Sequence, residues 1–137
     1  MFDISLFPVL VATIVAMAIG MVWYSPKIFG TVWTQEGHIV SESSVSTNDA
    51  AWKQILIAAI QNFIIIYILA HFLLLADAYP GMNVLTAGVW MAILVAATQL
   101  STVIWEKKSL TYFAITAGYV VTVLLVSSVI LTKWPWA

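Results

Sequence analysis

The chain has 137 residues, 63% of them hydrophobic and 8% charged, with a formal net charge of −1. A soluble domain carries roughly 25% charged residues, so a water-soluble globule is excluded, and without a basic balance nothing points to nucleic acid. There is no cysteine, which removes disulfides, thiolate metal sites, cysteine nucleophiles and palmitoylation together.

A helix needs about 20 residues to cross the hydrocarbon core. The first apolar run, residues 4–24, is long enough, and Pro8 is tolerable in its first turn. Its first flanking charge is the acidic Asp3 and it ends in Trp23-Tyr24-Ser25-Pro26. A cleaved secretory signal shows neither feature, so the run reads as a retained transmembrane helix. Ser25-Pro26 resembles an N-cap followed by a first-turn proline. Phe29, Val32 and Trp33 then recur at helical spacing beside Lys27 and Gln35. That pattern predicts a short amphipathic helix in the membrane interface, about residues 26–35. Residues 36–50 are polar and serine-rich, which reads as a loop with Asn48 or Asp49 capping the next helix.

The second, third and fourth runs cover residues 51–76, 84–105 and 110–132. Tyr79-Pro80-Gly81 reads as the turn between runs two and three, and Glu106-Lys107-Lys108-Ser109 as the turn between three and four. The fold class expected is therefore all-α: an integral membrane four-helix antiparallel bundle with a short interfacial helix after the first span. The whole chain forms a single transmembrane domain.

Lysine placement sets the expected orientation. Lys27, Lys53, Lys107 and Lys108 fall on one side of a four-span topology, whereas Lys133 and the terminal amine fall on the other. Positive residues favour the cytoplasm, which puts both termini outside a bacterial inner membrane. Trp23, Trp33, Trp52 and Trp105 fall at the inner boundary and Trp134 and Trp136 at the outer one, where indole is half apolar and half wet.

The residue types for enzyme chemistry are missing at the required spacing. The two histidines, His38 and His71, do not form a zinc-protease pair, and the apolar runs carry no carboxylate pair for acid–base work. No cofactor is expected. The intramembrane polar residues are the better lead, because a polar group in hydrocarbon needs a partner. Tyr67 and His71 are four apart and share a helix face. Gln61 lies about 80° from His71 on a helical wheel, and Asn62 about 180° from it. Gln61, Tyr67, His71 and Gln99 form the candidate polar path. Helix–helix glue is the other reading for Gln61, Asn62 and Gln99, and a structural histidine bonded to Tyr119 or a backbone carbonyl the other reading for His71. Small-residue stripes at Ala12, Ala16 and Gly20, at Gly88, Ala92 and Ala96, and at Ala114 and Gly118 permit close backbone approach, within the bundle or in a homodimer. The lipid bilayer is the certain partner. A second copy of the chain or another membrane protein is the expected protein partner.

Gly20, Trp23, Tyr24, Ser25, Pro26, Phe29, Gly30 and Trp33 compose a Gly-x-x-Trp-Tyr-Ser-Pro…Phe-Gly…Trp signature. Trp105-Glu106-Lys107-Lys108, Tyr112, Ala117-Gly118-Tyr119 and Trp134 follow in the second half. On these residues the chain resembles the bacterial membrane family DUF1761. The resemblance implies four transmembrane helices and carries over no catalytic residue. Two functions stay open: a homo-oligomeric transporter or channel for a small solute, and an accessory or structural subunit of a larger membrane complex.

Overall fold

The computed structural model describes residues 6–36 and 48–134, with side chains in the second stretch from Trp52 onward. Most of the polar segment 36–50, with His38, lies outside the described residues, as does Trp136. Six helices follow in order: α1 (Leu6–Trp23), α2 (Gly30–Glu36), α3 (Asn48–Ala78), α4 (Val84–Thr98), α5 (Ser101–Ile104) and α6 (Leu110–Lys133). Among the described residues, four stretches are long and apolar enough to cross a membrane: Leu6–Trp23, Trp52–Ala78, Val84–Ile104 and Leu110–Lys133. The protein is thus an all-α multi-pass membrane bundle, with the short helix α2 following the first span.

α6 is the central element, packing on α4, α1, α3 and α2, while α3 also contacts α1 and α4. The core between them is apolar: Val9, Ala12, Ile66, Leu69, Leu73, Ala92, Val123 and Leu131 are buried. Part of the small-residue stripes is used inside the protomer, while Ala114 is exposed. Ala12 and Ala16 are buried in α1, and Gly88 and Ala92 are the buried residues of α4. At Gly88 a β-carbon would collide with the Ser128 side chain of α6, so glycine sets the closest α4–α6 approach. The outward faces carry Ile14, Ile64, Leu75, Trp90 and Leu94. Those faces suit lipid, which is as apolar as the core.

Several hydroxyls inside the spans bond to their own helices. Thr13 donates to the Val9 carbonyl at 2.8 Å, Thr122 to Gly118 at 2.8 Å and Ser128 to Leu124 at 2.7 Å. Such back-bonding lets a polar side chain reside in hydrocarbon without a partner helix.

Two boundaries differ from the sequence expectation. The third run is interrupted at Gln99-Leu100, where α4 gives way to the single turn α5. Bonds from the Gln99 and Leu100 N–H groups run three residues back, to Ala96 and Ala97. The Thr98 hydroxyl donates to the Val95 carbonyl at 2.6 Å and the Ser101 hydroxyl to the Thr98 carbonyl at 3.0 Å. A Thr-Gln-Leu-Ser-Thr sequence thus supplies its own substitutes for the regular ladder, and the run can tighten there. The second difference is at α2, which starts at Gly30 and not at Pro26. Pro26–Phe29 form turns instead, for reasons that lie in the aromatic contacts below.

The turns at the helix ends follow local chemistry. Asn83 caps α4 by accepting from the Leu85 N–H at 2.9 Å, and Ser109 caps α6 by accepting from the Tyr112 N–H at 3.1 Å. Gly81 takes φ +84° between α3 and α4. Lys107 takes φ 59° between α5 and α6, which lets the Lys108 N–H reach the Thr102 carbonyl at 3.0 Å. A left-handed conformation costs an ordinary L-residue roughly 1–2 kcal/mol, and a β-branched one suffers most. Lys107→Ile is therefore expected to lower stability by about 1 kcal/mol, and Lys107→Gly to leave it unchanged or slightly raised. Denaturant unfolding in detergent reads both; an unaffected Lys107→Ile protein would remove the strain argument.

Candidate functional site

The signature residues read from the first half of the chain close around α6. Trp23, at the end of α1, donates its indole N–H to the Ile115 carbonyl of α6 at 3.0 Å. Its ring lies over Gly118, where a β-carbon would sit 3.1 Å away. The reverse exchange occurs one turn earlier on α1. Gly20 faces the Tyr119 hydroxyl, which would be 3.0 Å from a β-carbon there, and that hydroxyl donates to the Ala16 carbonyl at 3.2 Å. Each helix therefore presents a glycine to the other's aromatic ring, and α1 and α6 interlock.

The chain then turns sharply to bring further rings into the same cluster. Ser25 donates its hydroxyl to the Val22 carbonyl at 2.8 Å. It closes the end of α1 and does not serve as the N-cap of α2. Its own carbonyl accepts from the Ile28 and Gly30 N–H groups at 3.0 and 2.9 Å, and the Phe29 N–H reaches the Trp23 carbonyl at 3.2 Å. At Gly30 a β-carbon would overlap the Tyr24 carbonyl and approach the Ser25 backbone to 2.8 Å. The chain can pass over itself here because the residue is glycine.

The resulting ring contacts are close. Phe29 lies 4.9 Å from Trp23, Trp33 lies 4.9 Å from Tyr24, and Tyr24 meets Tyr119 edge-on at 5.3 Å. Trp33 stacks on Tyr112 at 6.3 Å, and the Lys108 ammonium sits 5.6 Å from the centre of the Tyr112 ring. Such pairs contribute about 0.5–1.5 kcal/mol each beyond area burial. Burial, with the Tyr119 and Tyr112 phenols nearby, pushes the Tyr24 phenol well above its ordinary pKa. The Trp33 indole N–H is buried and has no hydrogen-bond partner among the described residues. Pro26 is exposed at the outer edge of the turn.

Next to this cluster lies a small cavity of about 80 Å³, lined by Gln61, Asn62, Ile65, Tyr119, Val120, Val123 and Leu124. Asn62 donates to the Ala58 carbonyl at 2.9 Å and contacts the Met17 sulfur of α1 at 3.5 Å. It also lies against the Tyr119 phenol. Asn62 is thus the amide that ties α3 to α1 and α6. Its wheel position, opposite His71, is the signal in the sequence that separates the two.

The candidate path residues do not converge in the bundle interior. Gln61 is exposed at the mouth of the small cavity. Tyr67 and His71 are exposed on the outward face of α3, with ring centres 4.6 Å apart, edge to face. His71 Nδ1 bonds to the Tyr67 carbonyl at 2.9 Å. A carbonyl only accepts, so Nδ1 is the donor in this bond, and Nε2 has no partner on α3. Gln99 is half-buried at the α4–α5 break, where its carbonyl accepts from the Thr102 hydroxyl at 2.7 Å. The structure brings Tyr67 and His71 together, leaves Gln61 at the edge of the same face, and puts Gln99 on a different element. Glu106 and Lys107 are exposed in the α5–α6 turn, and Lys108 is half-buried.

No curated protein and no solved structure matches the chain. A family model described as "Protein of unknown function (DUF1761)" matches residues 7–132. That match takes in all four spans and both halves of the interlocked aromatic cluster, and the chain belongs to the DUF1761 family.

Proposed function

We propose that this protein is a non-enzymatic accessory subunit that packs against another membrane protein through the outward face of α3. The observation that carries the reading is the composition of that face. Ile57, Ile60, Ile64 and Ile68 are exposed on it, and Gln61, Tyr67 and His71 are interleaved with them. Lipid satisfies the isoleucines but offers nothing to a carboxamide or to an imidazole Nε2. An intramembrane polar group is expensive unless another helix pairs with it. His71 lies near the centre of the exposed stripe and Gln61 near its edge, about 80° away, so a neighbouring helix laid along α3 would meet both.

A homo-oligomeric transporter or channel would use the same face between protomers. It draws less support, because a water path needs polar groups at every turn and the isoleucines separate these ones. The lysine asymmetry supports an orientation with both termini outside, the four inner lysines facing the cytoplasm.

Site-specific photo-crosslinking in native membranes tests the face. A photoreactive residue in place of Ile68 is expected to give a discrete protein adduct of mass greater than two copies of this chain. The same residue in place of Leu94, exposed on α4, is expected to give lipid adducts. If both positions yield lipid adducts alone, the proposed face contacts no protein and the reading fails.

A further inference from the structure

A groove of about 560 Å³ lies between α2 and α6, within the about 300–1,000 Å³ range of small-molecule sites. Ile28, Phe29 and Val32 form one wall and Thr111, Ala114 and Ile115 the other, with Trp23 and Gly118 at its inner end. From Thr111 to Gly118 it follows α6 for about 10 Å, starting in the first turn of that span. At its inner end Trp23 is fixed by the α1–α6 interlock. Trp23 cannot swing into it without giving up its bond to the Ile115 carbonyl.

We propose that this groove seats one acyl chain of an anionic phospholipid, whose phosphate is attracted by Lys27 and Lys108. Its apolar walls suit hydrocarbon. Two lysines adjoin wall residues: the exposed Lys27 directly precedes Ile28, and the Lys108 ammonium lies 5.6 Å from the ring of Tyr112, next to Thr111. Basic pockets between spans at a membrane surface attract anionic head groups in this way. The occupant inferred is a lipid, because the groove enters the first two turns of a membrane span, where a soluble phosphate compound would have to place its apolar part in hydrocarbon.

The test is native mass spectrometry of delipidated protein in detergent, incubated with equimolar phosphatidylglycerol and phosphatidylcholine. One phosphatidylglycerol adduct is expected, retained with a roughly tenfold preference over phosphatidylcholine. Ala114→Phe fills the groove from an exposed position and is expected to lose the adduct while keeping wild-type helicity and melting. The Lys27→Gln/Lys108→Gln double variant is expected to retain lipid but to bring the two lipids to near parity. Equal retention of both lipids by the wild-type protein, or an undiminished phosphatidylglycerol adduct in Ala114→Phe, would overturn the proposal.

Discussion

Trp23→Ala is expected to cost about 3 kcal/mol of protomer stability and to release α2 from the bundle. The substitution removes the ring that fills the space over Gly118, the contact with Phe29 and the indole bond to the Ile115 carbonyl. These three losses fall on one junction, where α1 ends and α6 begins. Trp23→Phe keeps most of the packing and is expected to cost about 1 kcal/mol, the share of a single hydrogen bond. Trp105 is 81% exposed, so Trp105→Ala is the control and should change stability by less than about 0.5 kcal/mol. Denaturant unfolding in detergent ranks the three. If Trp23→Ala and Trp105→Ala unfold alike, the aromatic cluster is not what holds α2 in place.

The second large effect is expected at the α4–α6 contact. A β-carbon at Gly88 would lie 2.8 Å from the Ser128 Cβ, an atom fixed to the backbone of a buried helix position. Gly88→Ala must therefore push α4 away from α6, at about 2 kcal/mol. Ser128→Gly removes the opposing atom. The double variant is expected to recover at least about 1 kcal/mol relative to the sum of the single ones. Strict additivity would mean that α4 relaxes by another route and that Gly88 does not set the approach.

The four spans and their turns were legible because hydrocarbon imposes a length on each helix that composition alone reveals. The end of α1 was legible for a related reason: Trp23, Tyr24 and Ser25 end an apolar run with interfacial and capping side chains. The start of α2 was not, because Ser25-Pro26 reads locally as a helix start, whereas the chain there is bent by tertiary contacts of Trp23 and Trp33 with α6. The break at Gln99-Leu100 was also hidden, since Thr98, Ser101 and Thr102 interrupt an otherwise apolar run without proline or glycine.

The orientation of α3 was the hardest property to read. In water, the apolar face of a helix is its buried face. In lipid both faces are apolar: Ile66, Leu69 and Leu73 point inward and Ile64, Ile68 and Leu75 outward. The wheel separates Asn62 from His71 but does not say which faces the bundle. Packing decides it. Ala70 and Ala76 lie on the Asn62 side and are buried, so that side admits neighbouring helices closely. His71 is left on the other side, exposed on the outward face of α3.

The proposed contact through α3 is open to direct measurement. The most direct measurement is the mass of the assembly extracted in native lipid particles, without detergent, from cells at natural expression. The expected particle joins the 15.1 kDa chain to a second, different membrane protein in fixed ratio, and that protein is lost in a Gln61→Leu/His71→Leu variant that keeps its helicity. A particle holding this chain alone, unchanged in mass by the double substitution, would contradict it.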